Sequence, residues 1–334
     1  MKIDSAPKVS VVCAWYNRAD YIRDTVDSLL AQDFDSFEIV IINDGSPDPR
    51  VKEILDSYED PRLRVIHQEN TGFTVAIRRA IEESRGEYIA IQGAGDVSKH
   101  NRIRVQSDYL DQYTDAGAIG SWGTVKRIGS TIYETKKQRQ KRVYHYKDVM
   151  GFNPFIHGSM MLRRNAYTSV GGYRAFFRFA QDRDLWCRMS HKYEMHMIHE
   201  DLYESRQFSE DGGSTSIEKK IVQVALSDMA VQFSKTRQRL GWDELEAFGE
   251  SATYFRADTL RFFQILFYAW VVYRRGNEPA KADLVERAIR RRSKAAHLVF
   301  LLIRPVLIGS IRRMNLDKYG PIERLLSSKV GQFY

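Results

Sequence analysis

The sequence predicts an α/β fold, a mainly parallel sheet flanked by helices, followed by a basic helical C-terminal region. Three observations predict it. Short apolar runs alternate with amphipathic helical stretches through the first hundred residues. The runs are apolar almost throughout, as expected for strands covered on both faces. Past residue 216 the strand signals stop and basic residues gather around two longer apolar stretches.

The elements follow in order. Val9–Ala14 reads as a buried strand. Asp20 is placed to cap a helix whose apolar face carries Ile22, Val26, Leu29 and Leu30. Phe37–Ile42 is a second strand, broken by the loop signal Asn43-Asp44-Gly45-Ser46-Pro47. Val51–Tyr58 reads as a helix and Arg64–His67 as a third strand. Phe73, Ala76, Ile77, Ala80 and Ile81 share one face of the next helix. Glu87–Ile91 is the fourth strand and ends at Gly93-Ala94-Gly95-Asp96. Ligands of such sheets bind beyond the carboxyl ends of the strands. Those ends hold Tyr16-Asn17, Asp44-Gly45-Ser46 and Gly93–Asp96.

Composition narrows the class. Of 334 residues, 43% are hydrophobic and 28% charged, so a folded globular chain is expected rather than a disordered one. The two cysteines, Cys13 and Cys187, exclude a disulfide framework and a cysteine zinc site. The expected organisation is an α/β domain over 1–215, with halves at 8–125 and 126–215, and a basic helical region over 216–334.

The ordered motifs resemble the family 2 glycosyltransferases of the GT-A fold. The matching segments are Val9–Val12 through Tyr16-Asn17, Ile41–Ser46, Asn70-Thr71-Gly72, Gly86–Ala90 and Asp96. A later block matches as well: His157-Gly158-Ser159, Arg163-Arg164, Gly171-Gly172-Tyr173 and Gln181–Trp186. The resemblance covers residues 8–208. It implies an inverting enzyme that moves a sugar from a nucleotide-diphosphate donor to an acceptor hydroxyl.

The resemblance assigns roles residue by residue. Asp44 accepts the N3–H of a uracil-type base and Tyr16 stacks on that base. The other reading of Asp44 is a turn-forming Asp-Gly. Gly93, Gly95 and Asp96 meet the diphosphate, with Arg78 or Arg79 assisting by charge. The family's usual Asp-x-Asp is here Gly93-Ala94-Gly95-Asp96, which leaves Asp96 as the one carboxylate. One carboxylate still suits Mg²⁺ or Mn²⁺, so a divalent cation is expected. The glycines also admit backbone amides directly to phosphate. Asp96 alternatively caps the helix through Ile103 and Tyr109. Asp182 is the general base, with Gln181 where the family has an acid; its other reading is a first-turn acid favoured by the helix dipole. Asp184 is its rival. His157 and Gly158, opening a strand at Met160–Leu162, line the sugar pocket, and Trp122 offers it an apolar face. His199 is a candidate metal contact; His196 points to the opposite face of the same strand. Asp211–Thr215 reads as a loop that either closes over the donor or links to the helical tail.

Residues 270–334 carry fourteen Lys and Arg against five Asp and Glu. Arg274, Arg275, Arg287, Arg290–Arg292, Lys294, Arg312 and Arg313 flank the apolar runs Leu260–Tyr273 and Leu298–Ile311. The runs read either as buried helices of a C-terminal subdomain with a solvated basic face, or as a surface suited to contact with an anionic membrane. No nucleic acid is expected, since no nucleic-acid signature is present. No signal-peptide core and no spanning run of ~20 apolar residues are seen. A cytoplasmic enzyme, peripheral on the inner face of the membrane, is therefore expected. Its acceptor would be a cell-surface or lipid-linked glycan. The alternative is a degenerate GT-A scaffold of a glycan-assembly complex, motivated by the missing carboxylates.

Overall fold

The computed structural model describes residues 6–128, 133–136, 141–208 and 217–302. The chain divides into two compact units, residues 1–209 and 210–334.

The first unit is built on a ten-stranded sheet. Strand β1 (Val9–Trp15) is buried at every position, and β2 (Phe37–Asp44) nearly so. β1 pairs parallel with β2 on one side and β4 (Tyr88–Gln92) on the other, while β3 (Leu63–Gln68) extends the sheet beyond β2. The remaining strands are β5 (Val97–Ser98), β6 (Ala116–Arg127), β7 (Tyr133–Lys136), β8 (Val143–Tyr144), β9 (Met161–Arg163) and β10 (Glu194–Gln207). The order is β3-β2-β1-β4-β9-β6-β10-β5, with β7 on β6 and β8 on β10. Short β9 runs antiparallel to both β4 and β6, and β10 is parallel to β6. Two reversals across β9 leave β4, β6 and β10 pointing the same way. Their carboxyl ends therefore share one edge with those of β1 and β2, and that edge carries the candidate site.

Helices α1 (Ile22–Leu30), α2 (Pro49–Asp56), α3 (Phe73–Glu82) and α4 (Arg102–Gln112) lie between the first six strands; α5 (Tyr146–Gly151), α6 (Arg164–Ser169) and α7 (Gln181–Met189) follow. Asp48 caps α2, accepting from the Arg50 N–H at 3.0 Å, with Pro49 in the first turn. α3 buries Thr74, Ala76, Ile77, Ala80 and Ile81 along one stripe.

Several expectations are corrected. β2 continues through Asn43 and Asp44, because both stay in register with His67 and Gln68 of β3. Asp20 caps nothing: it sits in a single turn before α1, whose N-cap is Tyr21, and pairs with Arg50 at 2.8 Å. Asp96 does not cap α4, whose N-cap is Asn101. His157–Ser159 is a 3₁₀ turn ahead of β9 rather than the start of a strand.

The second unit is helical over its described residues. Helices α8 (Ile217–Leu240), α9 (Glu244–Phe248), α10 (Leu260–Arg275) and α11 (Pro279–Arg292) are followed by helical residues 294–302. Its core gathers Phe262, Leu266, Trp270, Ala282, Ile289 and Phe300. Among the described residues no helix is long and apolar enough to cross a membrane. The loop Asp211–Thr215, the tail Arg312 and Arg313, and most of Leu298–Ile311 lie outside the described residues.

Candidate active site

The edge begins where β1 and β2 end. Asp44 is only 3% exposed, and its carboxylate organises the loop that follows β3. Oδ1 accepts from Gln68 Nε2 at 2.7 Å, from the Thr71 N–H at 2.9 Å and from Thr71 Oγ1 at 3.0 Å. Oδ2 accepts from the Gly72 N–H at 2.9 Å. Arg79 donates to Gln68 Oε1 at 2.8 Å and so holds the donor that Asp44 uses. Gly45 has φ +66°, and a Cβ there would stand 2.5 Å from the Asn70 nitrogen. The turn thus needs glycine on two counts. Tyr16, 47% exposed, projects beside this end of the sheet. Asn17 and Arg18 follow at φ 56° and 59°, two successive non-glycine residues in the left-handed region. Such strain persists only where the surroundings impose it. Ser46 Oγ accepts from the Asn17 N–H at 2.9 Å, which locks the two loops together.

The loop after β4 is a tight turn closed by the Asp96 N–H donating to Gly93 O at 3.1 Å. Tyr203 of β10 sits at its centre. The Tyr203 hydroxyl donates to Asp96 Oδ2 at 2.7 Å and accepts from the Gly93 N–H at 2.9 Å. Asp96 Oδ1 accepts from the Arg206 N–H at 2.7 Å. A Cβ at Gly93 would lie 2.2 Å from Asp96 Oδ2, and one at Gly158 would lie 2.1 Å from the Tyr203 oxygen. The Asp96 carboxylate thus crowds position 93, and the Tyr203 hydroxyl crowds position 158. Burial pushes the Asp96 carboxyl up to about 6, against the pull of its hydrogen bonds from Arg206 and Tyr203 and of the Arg18 and Arg206 charges. Arg18 donates to Ala94 O at 2.5 Å, with its guanidinium 4.3 Å from the Phe208 ring centroid.

His157 and Gly158 join the two ends of the site. The His157 ring meets Phe73, the first residue of α3, at 5.6 Å between centroids, and Trp186 of α7 at 6.2 Å. Its Nε2 lies 2.7 Å from Tyr173 Oη. Burial pushes the imidazole below its usual value while the Asp182 charge opposes that shift. Asp182 lies in the first turn of α7, after Ala180 at φ 56°. Its Oδ2 accepts from Asn153 Nδ2 at 2.7 Å. Oδ1 has no hydrogen-bond partner among the described residues and the residue is partly exposed. Thr74 Oγ1 donates to Phe177 O at 2.9 Å, tying α3 to the segment ahead of α7. Asp182 is thus linked through His157 to the Asp44 loop, and through Gly158 and Tyr203 to the Asp96 loop.

Other expected residues fall elsewhere. Arg78 pairs with Glu82 at 3.6 Å along α3 and its charge acts on Tyr167; neither partner belongs to the Gly93–Asp96 loop. Trp122 stacks on His199, centroids 4.7 Å apart, on neighbouring strands β6 and β10, and His199 Nε2 faces Lys141 O at 3.3 Å. Asp184 is fully buried between Arg174 and Arg188, at 2.7 Å from the latter, which removes it as a base. Arg18, Tyr203, Asn153 and Arg206 are the residues sequence reasoning missed. Only Arg18, next to the Tyr16-Asn17 motif, carried a local signal.

Asp96 is the one acid of the Gly93–Asp96 loop, and each of its oxygens takes one protein donor and keeps a lone pair, so it would serve a cation held mainly by phosphate and water. No group of three or more His, Cys, Asp or Glu able to hold a metal ion occurs among the described residues. Asp96 is 9% exposed, and His199 faces a carbonyl rather than a carboxylate.

Tyr203→Phe tests this knot. It removes a hydrogen bond to a buried carboxylate, and an expected cost is about 1.5–3 kcal/mol in urea unfolding. The Asp96 carboxyl is already raised, so between its unfolded and folded values the native chain binds more protons and stability falls as pH rises. The variant raises that carboxyl further, so its penalty should be larger at about pH 8 than at about pH 5. An equal penalty at both would remove Asp96 from the account.

The model of the family described as Glycosyl transferase family 2 matches residues 10–180. An uncharacterized glycosyltransferase of Rickettsia felis is 29% identical over 212 residues, which is 62% of this chain but only 35% of that protein's length. Staphylococcus aureus TarS 1-349 in complex with UDP-GlcNAc superposes with a TM-score of 0.54 at 15% identity, over 85% of this chain and 92% of that one. The mannosyltransferase PcManGT of Pyrobaculum calidifontis, in complex with GDP-Man and Mn²⁺, gives 0.52 at 14%, over 89% and 87%. The likeness to both shows the fold. This chain belongs to the family 2 glycosyl transferases, as a glycosyltransferase whose sheet and flanking helices have the GT-A fold.

Proposed function

We propose that the chain is an inverting glycosyltransferase with a UDP-type donor and a glycan or lipid-linked hydroxyl as acceptor. What supports it is the partly exposed Asp182, with one oxygen held by Asn153, the other unpartnered among the described residues, and its charge acting on His157, whose ring meets Phe73 at the start of α3.

In this reading Asp182 Oδ1 takes the proton of the acceptor hydroxyl. The freed oxygen attacks the anomeric carbon as the bond to the diphosphate oxygen breaks. The electron pair leaves with the nucleoside diphosphate, and the anomeric centre inverts because no enzyme nucleophile intervenes. Asn153 fixes the carboxylate, and the buried His157 ring bounds the pocket beside it. Asp44 Oδ2 takes a single protein donor, which leaves a lone pair for the N3–H of uracil, with the exposed Tyr16 ring alongside. TarS binding UDP-GlcNAc supports a uridine donor. A lipid-linked acceptor at an anionic membrane face fits the exposed Leu298, Val299, Leu301 and Leu302 following the basic end of α11.

The test is a panel of nucleotide sugars with acceptor extracts, scored by released nucleoside diphosphate. Release that depends on acceptor, with UDP-sugars preferred and the product anomer inverted, is expected. Tight donor binding with no release under any pairing would favour the scaffold reading instead.

A further inference from the structure

We propose that His67 is a positioning residue for the nucleobase end of the donor site, acting through Asn43 and Ser46 on the turn that carries Tyr16. The proposal rests on the donor reading above and adds to it a residue from the next strand of the sheet. His67 lies on β3, in register with Asn43 of β2.

The hydrogen bonds decide what each ring nitrogen does. His67 Nε2 lies 2.8 Å from Oδ1 of Asp56, the last residue of α2. Hydrogen bonds from Lys52 and then from His67 hold the Asp56 carboxyl below its usual range, so it is ionised and only accepts. Nε2 therefore carries a proton. On the other side of the ring, Nδ1 lies 3.0 Å from Asn43 Nδ2. Asn43 is 6% exposed, and its Oδ1 accepts from the Ser46 N–H at 3.3 Å. The amide nitrogen thus faces the ring, and Nδ1 is its acceptor. Turning the Asn43 amide end for end would set two donors against each other at Ser46 and two acceptors against each other at His67. The ring acceptor therefore selects the amide orientation that holds the Ser46 turn.

The chain of contacts continues into the site. Ser46 Oγ accepts from the Asn17 N–H at 2.9 Å, and the Trp15 indole N–H donates to Asn17 O. Asn17 is thus gripped at both of its backbone polar groups, one from the β2 loop and one from β1. The left-handed backbone at Asn17 costs free energy and persists only while its neighbours impose it. Tyr16 immediately precedes it and presents its exposed ring from this turn. A Ser46 turn free to shift would loosen the Asn17 N–H and with it the direction of that ring. Asp44 is held by a separate set of donors, from Gln68, Thr71 and Gly72. His67 therefore bears on the stacking ring rather than on the carboxylate.

The test is titration calorimetry of the full chain with UDP and GDP, the tighter of the two serving as the probe. Two substitutions divide the ring's functions. His67→Asn sets an amide oxygen where Nδ1 stands and gives up the Asp56 contact. His67→Gln reaches Asp56 as Nε2 does and gives up the Asn43 acceptor. His67→Gln should weaken nucleotide binding by about two- to tenfold, the range for one hydrogen bond, while His67→Asn stays within about twofold of the parent. Where turnover is measured, donor KM should rise with the dissociation constant while kcat is kept. Ser46→Ala cuts the same chain further along, so it should weaken binding by a similar factor, and the double variant with His67→Gln should lose little more. Circular dichroism identifies folded variants. A residue that merely ties α2 to β3 predicts the reverse order, with His67→Gln like the parent and His67→Asn impaired, and that result overturns the proposal. So do equal losses in both His67 variants, unchanged affinity in Ser46→Ala, or fully additive losses in the double variant. A parent that binds neither nucleotide overturns the donor reading itself, and this proposal with it.

Discussion

Asp182→Asn is expected to lower turnover by about 10²–10⁴-fold, the usual span for a positioned general base. Nucleoside diphosphate affinity should stay within about twofold, because the change leaves the nucleotide-contacting groups alone. The substitution keeps the side chain's shape, and its amide oxygen can still accept from Asn153 Nδ2. What it removes is the capacity to take a proton at the position Oδ1 now occupies. Stability should hardly move, since the carboxylate is partly exposed and forms no ion pair among the described residues. Turnover within about tenfold of the parent would place the base elsewhere. Equal donor binding with no turnover in either protein would instead make the site a relic kept for binding.

The parallel half of the sheet was legible because β1, β2 and β4 are covered on both faces, and burial on both faces writes a continuous apolar run into the chain. Strands of two to four residues, such as β5 and β8, leave too short a pattern to read. The Asp44 and Asp182 motifs stood out by their order along the chain. What escaped was every role created by distance in sequence. Tyr203 and Asp96 are 107 positions apart, and Asn153 and Asp182 are 29 apart. Gly93 and Gly158 were read as lining the phosphate and sugar sites; a Cβ at the first would meet the Asp96 carboxylate and one at the second the Tyr203 hydroxyl. Arg78 was read as a phosphate partner, and it lies 3.6 Å from Glu82 one turn along the same helix.

Asp184→Asn carries the largest expected effect on stability, about 3–5 kcal/mol in urea unfolding, the range for breaking a buried pair from one side. Asp184 is 1% exposed, and Arg188 beside it is almost as deeply buried. Arg188 donates to Asp184 Oδ2 at 2.7 Å and to Gly172 O at 2.7 Å, and Arg174 reaches the same carboxylate at 3.0 Å. This arrangement pins α7 to the Gly171-Gly172 turn and so sets where Asp182 stands. Burial alone would raise the Asp184 carboxyl, but the Arg188 and Arg174 charges outweigh it and hold the group below its usual value. Its stabilisation is therefore complete above the unfolded carboxylate value and is lost as pH falls through the lower folded one. The asparagine variant should lose that acid-side slope as well as stability. Two residues apart on a helix, Asp182 and Asp184 face roughly opposite ways, so the two variants should separate cleanly: one silent in unfolding and inactive, the other unstable yet retaining turnover in whatever fraction stays folded. A stable, inactive Asp184→Asn would reverse the assignment and make Asp184 the proton acceptor.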